Sequence, residues 1–237
     1  MISKLVRNST PKWVNMVKLP FLKSIINGKL SKEAFLEYLV QDTIYIKYYA
    51  KCYAYAMTKT DDIEVMRLLY ECLGIISKDE SAIHIIYLKD LGYTELKALS
   101  EPIYEANKNY LDHMLYFTVH GTLKQNIVSL VPCAISYFYI AKECKKEAKR
   151  LGTYESNYYK KWMNFYSSDS YKKSCEKLLK LCDLTLKNMG SSDMENLRNI
   201  FEKSTYYEKL FWGIPRLWEN AFNVFIFLFI KIESAKS

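Results

Sequence analysis

The run from 31 to 59, SKEAFLEYLVQDTIYIKYYAKCYAYAMTK, decides the fold. Ser31 opens it, and Phe35, Tyr38, Leu39, Ile46, Tyr49 and Tyr53 then recur mostly at three- and four-residue steps, the spacing of a helix face. Asp42, Tyr45 and Tyr49 share one side of that helix. A carboxylate on so apolar a run needs an explanation, because burying a polar group without a partner costs roughly 1–3 kcal/mol.

Two further apolar stretches carry an equally awkward residue: Pro132-Cys133-x-x-x-Tyr137 and Tyr207-Glu208-x-x-Phe211-Trp212. A thiol and a second carboxylate stand where a packed core prefers leucine. Three such positions point to a small pocket inside a helical protein.

The intervening chain reads as helix too. A start is expected at Asp61, with Glu64 three residues on, before Val65, Leu68, Leu69, Leu73 and Ile76. A tyrosine-rich helix is expected from about Glu101 to Val119, closing at His120-Gly121, and the next from near Leu123 through Cys133. Gly152-Thr153 and Ser167-Ser168-Asp169 mark breaks; the last helices are expected after Ser167 and at the capping box Ser192-x-x-Glu195. Seven glycines and five prolines in 237 residues are too few for the turns of a sandwich or barrel. The expectation is an all-α, single-domain helical bundle over residues 1–237, with an atypical apolar tail at 221–237. Its apolar part, Ala221 to Ile232, is shorter than the roughly 20 residues of a membrane span, so no membrane partner is expected.

The formal charge of +8 is a weak pointer to nucleic acid. Lys142, Lys145, Lys146, Lys149 and Arg150 are interleaved with Glu143 and Glu147, as on an ordinary solvated face, and no nucleic-acid partner is expected. Six cysteines make neither a C-x-x-C pair nor a zinc spacing, and no signal peptide is evident, so free thiols in a reducing cytoplasm are expected. Three histidines give little basis for a catalytic triad or a metal centre, and no glycine-rich loop suggests a nucleotide. Neither metal nor cofactor is expected.

An unpaired cysteine is usually just a small buried hydrophobe. To act as a nucleophile Cys133 needs a group that takes its proton, and Glu208 is the best candidate. The plainer alternatives are a Glu208 paired with Lys203 or Lys209 at the rim of the core, and an Asp42 at a subunit contact. Tyr110, Tyr137 and Tyr166 flank the candidate segments; Tyr45 and Phe211 could wall a planar heteroaromatic ligand.

These residues, in order, resemble the TenA-type aminopyrimidine hydrolases, or thiaminase II, of the haem-oxygenase-like fold. The likeness runs from Pro20-Phe21 through Gly28-x-Leu30, Gln41-Asp42, Pro132-Cys133-x-x-x-Tyr137 and Trp162-x-x-x-Tyr166 to Tyr207-Glu208-x-x-Phe211-Trp212. It implies Cys133 as nucleophile and Glu208 as acid/base. Asp42 would hold the amino group and ring nitrogen of a 4-aminopyrimidine, with Tyr45 and Phe211 near the ring and Tyr110, Tyr137 and Tyr166 in the hydrogen-bond shell. It further implies a homotetramer serving thiamin salvage, converting 4-amino-5-aminomethyl-2-methylpyrimidine to hydroxymethylpyrimidine and ammonia or cleaving thiamin. Leu19, Tyr139 and Gly213 depart from the family pattern, which has histidine, an acidic residue and aspartate there. A non-catalytic pyrimidine-binding or regulatory protein on the same fold is the alternative, and a haem or di-iron oxygenase the poorer third.

Overall fold

The computed structural model describes residues 1–76, 81–187 and 190–214; the expected apolar tail at 221–237 lies outside them. Among the described residues there is no strand. Eleven α-helices follow in chain order among the described residues: α1 (Ile2–Asn15), α2 (Pro20–Ile26), α3 (Lys32–Ala56), α4 (Ile63–Gly74), α5 (Ser81–Asp90), α6 (Glu95–Ser100), α7 (Glu105–Val119), α8 (Leu123–Arg150), α9 (Lys160–Tyr166), α10 (Asp169–Thr185) and α11 (Ser191–Phe211).

Two of them form the interior. In α3 every residue from Tyr38 to Ile46 is buried, and in α8 every residue from Asn126 to Cys133, so both are enclosed on all sides and not merely along a stripe. Helix α8 packs against α1, α7, α9, α10 and α11, and α3 against α4, α5, α6, α7 and α8. Polar residues at the centres of these two helices therefore lie inside the bundle. That is what makes Asp42 and Cys133 neighbours of the same core. By length and composition α8 could also cross a membrane, but its apolar stretch is mostly buried by its neighbours, as in a core helix.

The helix ends follow local chemistry. Ser31 caps α3 by accepting from the Ala34 N–H at 3.1 Å, and Thr122 with Gln125 forms a reciprocal capping box on α8. After α2, Gly28 at φ +65° closes a Schellman turn in which Lys29 N–H donates to Ser24 O at 2.9 Å. Asn157 braces that turn by donating to Ile25 O at 2.9 Å.

Three expected boundaries are corrected. Asp62, not Asp61, caps α4, its carboxylate meeting the N–H groups of Glu64 and Val65. Helix α7 begins at Glu105 instead of near Glu101, because Pro102 lacks an N–H and holds Glu101 extended. Helix α11 begins at Ser191 behind Gly190, so the Ser192-x-x-Glu195 box lies inside the helix and caps nothing.

Candidate active site

Asp42, halfway along α3 and 3% exposed, is met by three donor side chains. Tyr38, one turn earlier, donates to Oδ2 at 2.9 Å, and Tyr137 of α8 donates to Oδ1 at 3.1 Å. His84 of α5 brings Nε2 to 3.1 Å from Oδ2 and to 3.2 Å from the Tyr166 hydroxyl. The carboxylate assigns the histidine hydrogen to Nε2, since an unprotonated nitrogen there would face an anion. The Nδ1 atom is buried without a hydrogen-bond partner. Trp162 of α9 donates to the Tyr38 oxygen at 3.1 Å and leaves that hydroxyl free to serve Asp42. Burial, followed by the charge of Asp42, holds the Tyr38 and Tyr137 phenols well above their ordinary pKa, so both remain donors.

Cys133 lies directly after Pro132, which has no N–H for the carbonyl one turn back. Two nearby carbonyls accept side-chain hydroxyls: Ser129 O from Ser204 at 2.9 Å and Leu130 O from Tyr49 at 2.9 Å. Ser204 belongs to α11, and Glu208 stands one turn further along the same face, 2% exposed. Ser136, one turn after Cys133, places its Oγ 2.8 Å from Glu208 Oε2 and 3.1 Å from Cys133 O. Ser136 thus ties the buried carboxylate to the backbone of the cysteine, a residue itself only 6% exposed. This does not match the alternative of a Glu208 at the rim of the core, and Lys203 lies instead over the rings of Tyr206 and Tyr207.

Tyr45 and Tyr110 stand beside this pair, their rings 5.0 Å apart. Burial raises both phenols well above the usual range, and Cys133 and Glu208 add to the shift in each. The Tyr45 hydroxyl is engaged by Met114 Sδ at 3.1 Å. That of Tyr110 lies next to Tyr45 and Glu208 without full hydrogen-bond geometry to either. Phe211 packs 5.9 Å from Tyr45. Trp212 closes the other side, stacked on Tyr38 at 5.6 Å and against Tyr137 at 4.9 Å.

All eight residues singled out from the sequence thus fall in two linked clusters, Asp42 with Tyr137 and Tyr166, and Cys133 with Glu208, Tyr45, Tyr110 and Phe211. Tyr137 joins them, since Asp42 and Glu208 both act on its phenol. Sequence reasoning missed His84, Tyr38, Trp162 and Ser136. The sequence alone gives His84 no role, and it reaches Asp42 because α5 packs on α3. Of the departing residues, Tyr139 stacks on Trp13 at 6.1 Å, and Leu19 stands just before α2 as its N-cap.

The all-helical bundle built around two enclosed central helices has a haem-oxygenase-like architecture. A domain from Shewanella denitrificans with a heme oxygenase-like fold superposes at a TM-score of 0.73, with 15% identity over 94% of this chain and 95% of that one. The chain belongs to the TENA/THI-4/PQQC family, which it matches over residues 6–219. It is 28% identical over 210 residues to an aminopyrimidine aminohydrolase of Helicobacter pylori, covering 89% of this chain and 95% of the relative. A second aminopyrimidine aminohydrolase, from Halalkalibacterium halodurans, is 28% identical over 221 residues, or 91% and 96% of the two chains. The TenA homologue protein from P. horikoshii OT3 superposes at a TM-score of 0.77 with 27% identity, covering 90% of this chain and 97% of that one.

Proposed function

We propose that the protein is an aminopyrimidine aminohydrolase that converts 4-amino-5-aminomethyl-2-methylpyrimidine to the hydroxymethyl compound and ammonia, with Cys133 as nucleophile and Glu208 as acid/base. The observation that carries this reading is the buried Glu208 carboxylate joined through Ser136 to the Cys133 peptide. Family membership and the names of relatives spanning nearly the whole chain support it.

The chemistry follows from the parts. The Cys133 thiolate adds to an unsubstituted carbon of the electron-poor ring, and the added electron density expels the amine from the neighbouring methylene. Water adds to the methylene, the thiolate leaves, and the hydroxymethyl product remains. Glu208 protonates the departing amine and takes a proton from the entering water, a role typically worth about 10²–10⁴ in rate. Asp42 would receive the 4-amino group, with Tyr45 and Phe211 against the ring and Tyr110, Tyr137 and Tyr166 fixing its edge. Thiamin, with the same pyrimidine and another leaving group, is a candidate second substrate. Exposed aromatics such as Tyr70 and Tyr116 favour a homo-oligomer, with a tetramer the proposed form, in the cytoplasm.

Ammonia release on adding the aminomethyl compound tests the reading. A protein that binds the pyrimidine and releases none would be the non-catalytic alternative.

A further inference from the structure

An acid/base carboxyl in a closed site has to be comfortable in two states. Ionised, it only accepts hydrogen bonds; protonated, it must also donate one. At 2% exposure Glu208 depends on protein groups and not on bulk water in both states, and a carboxyl held well in only one of them resists the proton transfer that reaches it. Ser136 has the chemistry for both. Its Oγ is completely buried, 2.8 Å from Glu208 Oε2 and 3.1 Å from the Cys133 carbonyl oxygen. One hydroxyl hydrogen faces two acceptors and can serve only one at a time.

We propose that Ser136 is a positioning residue of this reaction, its hydroxyl turning between Glu208 and the Cys133 carbonyl as Glu208 gains and loses its proton. The proposal rests on the function proposed above. With Glu208 ionised, the serine hydrogen points to Oε2. With Glu208 protonated, its O–H donates to the serine oxygen and the serine hydrogen swings to the Cys133 carbonyl. No heavy atom moves, and the single proton involved stays on the carboxyl until substrate or water exchanges it. The turn also couples the two partners: the peptide that carries the nucleophile feels the protonation state of the acid.

Groups that bear on Glu208 include Tyr45 from α3, Tyr110 from α7 and Tyr137 from α8, with Cys133 acting on the same Tyr45 and Tyr110 and Asp42 behind Tyr137. Burial keeps the three phenols neutral well beyond the working range, so none of them competes with Glu208 for the proton.

The test is Ser136→Ala, with the Glu208 carboxyl titrated directly in the ligand-free protein by infrared difference spectroscopy against Glu208→Gln. Ser136 serves both states, but its bond to the ionised form is charge-assisted and the stronger of the two, so losing it should raise that titration by about one pH unit. The limb of the kcat profile that Glu208 governs should move upward with it, kcat at neutral pH should fall about tenfold, and KM should stay within about twofold. Ser136→Thr keeps the hydroxyl and should keep the parent titration. An Ala variant that titrates within about 0.2 unit of the parent, or a Thr variant shifted as far as Ala, overturns the proposal. If the titration shifts while the parent itself releases no ammonia, the Ser136 arrangement stands and the function fails; if ammonia release persists with an unshifted titration, only the Ser136 role fails.

Discussion

Replacing Asp42 with asparagine separates two effects that the structure lets one estimate apart. A carboxylate offers about four lone-pair positions, and three are occupied: Tyr38 at 2.9 Å and His84 at 3.1 Å on Oδ2, Tyr137 at 3.1 Å on Oδ1. Asparagine can keep its carbonyl toward Tyr38 and His84, but its amino group then meets the Tyr137 donor. Two charge-assisted bonds weaken to neutral ones and a third is lost, so the variant should be less stable by about 2–4 kcal/mol. The fourth position, on Oδ1, is the one that the proposed function gives to the ligand N–H. An oxo analogue leaves only that position empty, so 4-amino compounds should bind about tenfold better than 4-oxo or unsubstituted ones, corresponding to about 1.4 kcal/mol. In the asparagine protein the same position bears a donor, and the preference should disappear. Calorimetry with 4-amino and 4-oxo pyrimidines on both proteins, beside thermal melts, measures each effect. Equal affinities in the parent, or a preference that survives the substitution, would remove Asp42 from recognition.

Cys133→Ser should abolish turnover and leave the melting temperature close to the parent's, because a hydroxyl is a far weaker nucleophile of similar size; ammonia release near the parent rate would refute the assignment. Cys182→Ala, by contrast, should retain activity, since burial, with Cys72 beside it, pushes that thiol up. Glu208→Gln should lower kcat by about 10²–10⁴ with less effect on ligand affinity, and combining it with Cys133→Ser should add little further loss; additive losses would make Glu208 structural. Burial lowers the pKa of His113 to about 4, so the unfolded chain binds its proton more readily; this contribution to stability is complete above about pH 6.5 and is lost as pH falls toward 4. Thermal melts across that range should show the decline, smaller in His113→Gln; an identical slope in both proteins would assign the acid sensitivity elsewhere.

Much of this arrangement was legible because it is local. Ser31 followed by three- and four-step apolar spacing specifies α3, and a carboxylate in the middle of a helix buried all round has to be a special residue. The same reasoning finds Cys133 beside Pro132 and Glu208 among aromatics. What was not legible is set by how helices cross. His84 sits on α5, whose own pattern gives no reason to expect it at Asp42; only the packing of α5 on α3 brings it there. Tyr38 and Trp162 look like core aromatics until their polar atoms are seen to meet, and Ser136 is an unremarkable serine one turn from the cysteine. The capping errors have a simpler origin. Asp61 and Asp62 are adjacent and equally able to cap, and the Ser192-x-x-Glu195 pattern occurs two residues too late to cap α11, whose N-cap is Gly190.

The central claim is hydrolysis at a Cys133–Glu208 site, and the most direct measurement is ammonia released from 4-amino-5-aminomethyl-2-methylpyrimidine by the parent and the Cys133→Ser protein side by side. Continuous release with stoichiometric hydroxymethyl product from the parent, and none from the serine protein, is the predicted result. Binding without release by the parent, or equal release by the two proteins, would contradict it.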